Sequence, residues 1–355
     1  MDVENDNSYA AKTNLLIFNY ATDEKDQVFA HQIEVVRHLS IKFRKVYVIT
    51  ASRGFGSLPS NVTCIESKWV QGKHFSNSAR LIKNFLGVVL RDKNIVVFSH
   101  MTEVQSALVS PLTKFLRIKH IVWYAHASRS LAMNLNKFML NSIVTSTVGS
   151  CPYTGNKVKI LGQAIDEKMF KFTIHKIGSP YNFVHIGRTD PSKDIKKLMR
   201  FVEDVNSMGY ESTFTIVGRP SNPKFNFYIE DLYNLRKSFK EPLRVVFREP
   251  VERNSVPDFL ESFSIFIHAF IGSLDKTLVE ATLCGIPVLS INHEYRSIFG
   301  CWSNTANSSL EDEFLALIGL SPEELAPELK RRRKIAEEQH SLSSWIEKIL
   351  TILTN

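Results

Sequence analysis

The chain has 355 residues, a formal net charge of +8, and 44% hydrophobic against 23% charged residues, the balance of a soluble globular protein long enough for two ordinary domains. No window approaches the roughly 20 apolar residues of a membrane span, and the acidic, polar start MDVENDNSYAAKTN lacks the basic and apolar regions of a secretory signal. Cys64, Cys151, Cys284 and Cys301 form no Cys-x-x-Cys spacing, so they read as isolated thiols of a reducing compartment, and a cytoplasmic location is expected.

Residues 1–12 read as a flexible tail. Beyond them, β-branched apolar runs at 15–20, 46–50, 62–66, 95–100, 121–124, 143–146 and 158–161 predict strands. Between these, Phe29, Ile33, Val36, Leu39 and Phe43 recur on one helical face, and 81–90 and 104–116 read as further apolar helices. The stretch TIHKIGSP at 173–180 has turn residues and no periodicity, and predicts a linker. Strands then follow at 183–187, 213–218, 243–247, 264–269 and 287–291, alternating with helices at 192–206, 224–238, 254–261 and 276–284. A last helix is expected over 340–353. The predicted organisation is a tail (1–12), a first domain (13–172), a linker (173–180), a second domain (181–338) and a C-terminal helical segment (339–355). Two successive βα runs predict an α/β protein of two Rossmann-like domains. Their mostly parallel sheets would face each other across a cleft and bind ligands at the carboxyl ends of the strands.

Charge is unevenly spread. Residues 1–172 carry 22 Lys and Arg against 12 Asp and Glu, whereas 173–355 carry 22 against 24. A basic first half suits an anionic partner (a phospholipid surface, a lipid-linked phosphate, nucleic acid) or serves solubility alone. The predicted helix over 78–93 combines apolar residues with Arg80, Lys83, Arg91 and Lys93. It reads either as a support on an anionic membrane or as a core helix with charged ends. The run KRRRK at 330–334 is flanked by Glu328, Glu337 and Glu338 and reads as a solvated helix face, so nucleic acid is not expected as a partner.

Two stretches carry the chemistry. In HIGRTDPSKDI (185–195) a strand ends at Gly187, Arg188 follows, and Lys193 stands at the predicted start of a helix. Two cations and a helix N-terminus then converge, as a phosphate site requires. In FIHAFIGSLDKTLVEATLCGIPVLSIN a strand runs into a loop with Gly272 and Ser273. A helix then begins at Lys276 with Asp275 as its N-cap and stops at Gly285. The small residues let backbone amides of Ser273, Leu274, Asp275 and Lys276 approach a ligand. Glu280 either accepts hydrogen bonds from two vicinal hydroxyls, as on a ribose, or faces solvent.

Both stretches resemble the nucleotide-sugar half of the retaining glycosyltransferases of family 4, which have the GT-B fold. The matching residues are Gly187, Arg188, Pro191 and Lys193; Ile216, Val217 and Gly218; and Glu280, Ala281, Gly285, Pro287 and Val288. The resemblance implies that Arg188 and Lys193 hold the diphosphate of a UDP- or GDP-sugar, that Glu280 holds the ribose, and that the loop after 248–251 lies beside the base. It implies a hydroxyl on a glycan or lipid-linked acceptor. No cofactor or metal is expected, and no Asp-x-Asp element occurs in the chain. One position departs from the family: the first acid of its Glu-x7-Glu element, near the donor sugar, falls on Gly272. Either backbone amides serve the sugar here or activity has been lost.

The first half is similar more weakly. GQAID at 162–166 with Phe170 resembles the element before the family's linker, and the final helix over 340–353 resembles the segment that returns to the first domain. His126, at the end of a predicted strand, resembles the active-site histidine that contacts the transferred sugar. His100 ends the preceding strand and reads either as structural or as an acceptor contact. His31 stands where the family has a glycine-rich loop and is a further candidate contact to the acceptor or the donor. By resemblance, the acceptor attacks the donor on the face the phosphate leaves, and that phosphate takes the proton. An epimerase would need a carboxylate acid/base set, and none is located. A non-catalytic nucleotide-sugar binder remains open. A dinucleotide dehydrogenase is disfavoured because no Gly-x-Gly-x-x-Gly follows the first strand.

Overall fold

The structure, a computed structural model, describes residues 12–26, 29–70 and 72–355. Apart from Lys12, the expected tail lies outside the described residues. The chain forms two compact units, one of residues 1–162 with 343–355 and the other of residues 163–342.

The first unit contains β1 (Asn14–Thr22), α1 (His31–Ser40), β2 (Lys45–Arg53), β3 (Val62–Glu66), α2 (His74–Arg91), β4 (Ile95–His100), α3 (Glu103–Phe115), β5 (Lys119–Trp123), α4 (Leu131–Asn136), β6 (Ser142–Thr145) and β7 (Val158–Ile160). Its seven strands are parallel in the order β3-β2-β1-β4-β5-β6-β7. β1 and β4 are buried along almost their whole length because helices cover both faces, which is why they read as continuous apolar runs. α2 buries Asn77, Leu81, Phe85 and Val88, one stripe at helical spacing, against Leu16, Phe18 and Val97. The apolar stripe of this helix is therefore core, and its charges lie outside that stripe.

The second unit contains β8 (Tyr181–Ile186), α5 (Ile195–Ser207), β9 (Ser212–Val217), α6 (Asn226–Lys237), β10 (Val245–Arg248), α7 (Val256–Leu260), β11 (Ile265–His268), α8 (Lys276–Cys284), β12 (Val288–Ser290), α9 (His293–Phe299), α10 (Leu310–Ile318) and α11 (Pro322–His340). Its five parallel strands run β10-β9-β8-β11-β12. One apolar cluster fills each face. α8 is buried on every side: Leu278, Val279, Ala281 and Leu283 have no exposed surface, and each buried Leu or Val contributes about 1.5–3 kcal/mol.

Residues 173–180 lie inside this unit, where Thr173 N donates to Cys284 O (2.9 Å) and His175 Nδ1 bonds Phe263 O (2.8 Å). The basic run at 330–334 is only partly solvated. Arg332 is buried with its guanidinium 3.9 Å from the Trp302 ring centroid, and Arg333 donates to the carbonyls of Phe170 and Leu283. A guanidinium is weakly hydrated and stacks on an aromatic face, so an arginine enters the core where a lysine would stay out.

The final helix, α12 (Leu342–Thr354), packs on the first unit. Trp345 is buried there, 5.4 Å from Trp123 and 6.1 Å from Phe98 between ring centroids. All four cysteines are free, and burial pushes the Cys284 thiol up to about 12. Among the described residues, no helix is long and apolar enough to cross a membrane.

Candidate functional site

In a doubly wound sheet the ligand crevice opens where the strand order reverses, at the carboxyl ends of the two strands flanking that point. In the second unit those strands are β8 and β11. The loops that leave them, 187–194 and 269–275, are the two stretches that carry the chemistry in sequence.

The β8 end is set by glycine. Gly187 N donates to Val217 O at 3.0 Å, and Gly218 has φ +144° with its own N–H on Arg248 O. A Cβ at Gly218 would lie 1.8 Å from Gly187 O, so no other residue lets β8 and β9 end this close together. Arg188 is exposed, with Nη1 3.6 Å from Asp190. Asp190 is buried and fixed by Ser221, whose N and Oγ donate to its two oxygens at 2.8 and 2.7 Å.

Lys193 does not open the helix as expected. It ends a separate 3₁₀ turn (Pro191–Lys193), and Asp194 at φ +48° breaks the chain before α5 begins at Ile195. The turn sends the side chain inward. Lys193 is only 4% exposed, its Nζ is 2.5 Å from Asp275 Oδ2, and it lies 3.9 Å from the centroid of the Phe270 ring.

Asp275 does occupy the N-cap position of α8, but its carboxylate makes no capping hydrogen bond. It accepts instead from Lys193 and from His268 Nε2 (2.9 Å). His268 is fully buried, with Nδ1 on Ser290 Oγ (3.3 Å). Beside it His185 holds its Nδ1 on Ile267 O (3.1 Å), and the two imidazoles are 5.8 Å apart. Burial pushes His185 down to about 3 and likewise lowers His268, against the pull of Asp275, so burial favours the neutral form of each ring. Burial alone would raise Asp275, but His268 and Lys193 outweigh it and hold the carboxyl well below the usual range. The outcome is one half-buried carboxylate and one buried ammonium beside a helix N-terminus whose amides have no side-chain cap, groups of the kind that can receive an anion.

The 270–275 loop is held from two other directions. Asn292, fully buried at the N-cap of α9, sends Nδ2 to the carbonyls of Phe270 (2.9 Å) and Gly272 (3.0 Å). Gln163 Nε2 donates to Leu274 O (2.5 Å). Gly272 and Ser273 are half-buried and Leu274 is buried. The missing acid has a structural counterpart. A Cβ on Gly272 would lie 2.1 Å from Phe270 Cζ, so the Phe270 ring fills the space of a side chain at 272.

Glu280 is not solvent-facing. It is 8% exposed and accepts from Arg253 Nη2 at 3.2 Å. Arg253 follows β10, so this pair ties the loop after residues 248–251 to α8. Lys276, one turn before Glu280, is lowered to about 8 by burial and by Arg253, against the pull of Glu280. The structure thus brings Lys193, Asp275, His268 and Phe270 together, and Arg253 with Glu280; it places Arg188 beside Asp190. His268, Phe270, Asn292 and Arg253 were not singled out from sequence. Only the Asn292 cap had a local signal, an Asn opening a short helix. Among the described residues no three His, Cys, Asp or Glu side chains gather as metal ligands.

In the first unit the strand order reverses between β1 and β4. His31 opens α1, and its ring meets that of His100 edge-on at 5.5 Å. His100 is buried among Phe98, Trp123 and Trp345. Gln32, missed in sequence, joins the two strand ends: its Oε1 accepts from Tyr20 N and Ala21 N, and its Nε2 donates to His100 O. His126 is exposed, with its ring 5.3 Å from Tyr124.

Two Rossmann-like units with these sheets make the fold that of the GT-B glycosyltransferases. The sequence matches no family model and no curated protein. Solved structures do match. Anabaena HepE in complex with UDP and glucose has a TM-score of 0.73 at 13% identity, covering 96% of this chain and 99% of that one. A glycosyltransferase from Rickettsia africae gives 0.73 at 14%, covering 96% and 98%. The lipopolysaccharide outer core galactosyltransferase WaaB gives 0.67 at 12%, covering 96% and 99%.

Proposed function

We propose that this chain is a retaining, metal-independent glycosyltransferase. It moves a sugar from a UDP- or GDP-sugar to a hydroxyl of a glycan or lipid-linked acceptor. The observation that carries the reading is the uncapped N-terminus of α8 beside buried Lys193, at the strand-order reversal of the second unit. A departing diphosphate gathers negative charge, and preplaced cations and amides stabilise that charge without reorganising. The likeness to HepE, whose complexes hold UDP with glucose and UDP-glucose, supports this choice of donor class.

Arg188 and Lys193 are assigned to the diphosphate, and Glu280 to the ribose once it leaves Arg253. The amides of Gly272, Ser273, Leu274, Asp275 and Lys276 are assigned to phosphate and sugar, with Gly187 giving the backbone room to approach. His126 is assigned to the transferred sugar, and His31 and His100 to the acceptor. Calorimetric titration with a panel of nucleoside diphosphates, repeated with chelator, tests the site. Arg188→Ala and Lys193→Ala should each weaken binding about ten- to hundred-fold, the loss of one charge-assisted contact. Binding no tighter than about millimolar by every member of the panel would sink the assignment. Gly272 favours a second reading, a binder without turnover. Release of free sugar or transfer from the best donor separates the two.

A further inference from the structure

The first unit carries a second surface, unrelated to the donor site and independent of the reading above. In a parallel sheet every helix-to-strand turn lies at the amino ends of the strands. Here those turns are residues 41–45 before β2, 90–94 before β4, 114–119 before β5 and 137–141 before β6, and the turn at 155–157 enters β7 at the same end. The ladder sets them side by side: Asn14 pairs with Lys45 and Ile95, Val96 with Lys119, Ile121 with Ser142, and Ile143 with Val158. From β2 to β7 the row spans five strand spacings, roughly 24 Å.

These five turns hold ten Lys and Arg against one acid. The acid, Asp92, is buried and already engaged by Tyr47, Arg44 (3.3 Å) and Lys45 (3.5 Å), so it offers the surface no negative charge. The same turns expose large apolar side chains at the ends of successive helices: Ile41 at 77%, Leu90 at 84%, Phe115 at 84% and Phe138 at 72%. Arg117 takes φ +54°, a left-handed position that glycine fills most easily, so this turn keeps a cation where a plain chain reversal would have none.

We propose that this amino-terminal edge of the seven-stranded sheet docks on an anionic phospholipid bilayer. The cations would lie in the headgroup layer, and Ile41, Leu90, Phe115 and Phe138 would reach its acyl boundary. The combination decides the occupant. A polyanion such as RNA matches the charge but leaves four large apolar side chains in water. A lipid surface takes both at one depth, because long basic side chains keep their heads among phosphates while apolar neighbours insert. The surface lies at the end of the sheet opposite the carboxyl ends, where an α/β ligand site opens, so docking leaves that site uncovered.

The test is flotation of the full chain with vesicles of phosphatidylcholine, with and without phosphatidylglycerol, at about 0.1 M and about 0.5 M salt. Binding should require phosphatidylglycerol and fall with salt. Lys114→Glu with Arg117→Glu should cut partitioning about tenfold or more, each cation near the surface being worth several-fold. Phe115→Ser with Phe138→Ser should cut it as well, while Lys330→Glu on α11 should leave it unchanged. Wild-type salt and lipid dependence needs no variant to fold, and a retained thermal transition checks those that are compared. Equal capture by both vesicles overturns the proposal. So does unchanged partitioning in either double variant, or RNA binding lost in the charge variant without any vesicle binding by the wild type.

Discussion

Gly272→Glu places an acid where the family that the sequence resembles carries one, and the structure says why that should fail alone. A Cβ at 272 meets Phe270 Cζ at 2.1 Å and its two Cε atoms at 2.7 and 2.8 Å, and the backbone there is not left-handed, so the Phe270 ring is the obstacle. Forcing the ring aside costs about 1–3 kcal/mol of overpacking. It also loses the Lys193–Phe270 contact, worth about 0.5–2 kcal/mol. A total of roughly 2–4 kcal/mol lowers the melting temperature of a unit this size by roughly 5–12 °C. Phe270→Ala vacates the space, so adding the acid in that background should cost under about 1 kcal/mol, a coupling of at least about 1 kcal/mol. Thermal unfolding of the wild type, both single variants and the double variant measures it. An equal penalty for Gly272→Glu in both backgrounds would refute the idea that Phe270 occupies the acid's place. Donor turnover by the same four proteins settles a separate point: a rise in the double variant marks the carboxylate as the group the site lacks.

Three further outcomes follow from the same geometry. Asp275→Asn leaves the Lys193 ammonium buried without its counter-charge and should cost about 3 kcal/mol in the free protein. A saturating nucleoside diphosphate should recover part of that, read as a larger ligand-induced rise in melting temperature than in wild type. Because the folded carboxyl lies below its ordinary value, its stabilisation is complete above the unfolded value and lost only in strong acid. The Asp275→Asn penalty should therefore be flat from about pH 5 to 8. Glu280→Ala should weaken nucleoside diphosphates about tenfold by calorimetry while leaving pyrophosphate affinity unchanged, since only the former carry a ribose. His185 is a base held neutral down to about 3, so below pH 6.5 the unfolded chain takes up a proton that the folded one refuses. Stability should fall by about 1.4 kcal/mol per pH unit in that window through this residue, and His185→Gln should remove that slope from the acid limb of urea unfolding.

Local signals were readable where they did not compete. β4 runs over Ile95–His100 and α8 over Lys276–Cys284, as the apolar run and the Asp275 and Gly285 punctuation indicate. β1 and β2 extend past their apolar runs because pairing continues through Ala21–Ser52 and Thr22–Arg53, mostly polar positions that the neighbouring strand makes extended. The helix α10 and the start of α11 were missed although both open on capping boxes, Ser309 with Asp312 and Ser321 with Glu324, a signal the sequence offered. Burial of Glu280 and Arg332 was not legible, since each depends on a partner far along the chain, Arg253 in one case and Trp302 in the other.

Asp275 shows where local and distant claims on one side chain conflict. Its place before an apolar helical run assigns its oxygens to the amides of α8, a cap worth about 1 kcal/mol. A charged hydrogen bond to buried Lys193 is worth about 1.5–3 kcal/mol, and leaving that ammonium unpaired would cost more. The distant partners therefore win, and the amides they leave uncapped are the ones an anionic ligand can use. A bound diphosphate would satisfy those amides and share Lys193 with Asp275, so ligand and carboxylate compete for one ammonium while the helix N-terminus favours the ligand. The residue that looks like an ordinary cap in sequence thus keeps the site charged and open, and it does so by failing to cap.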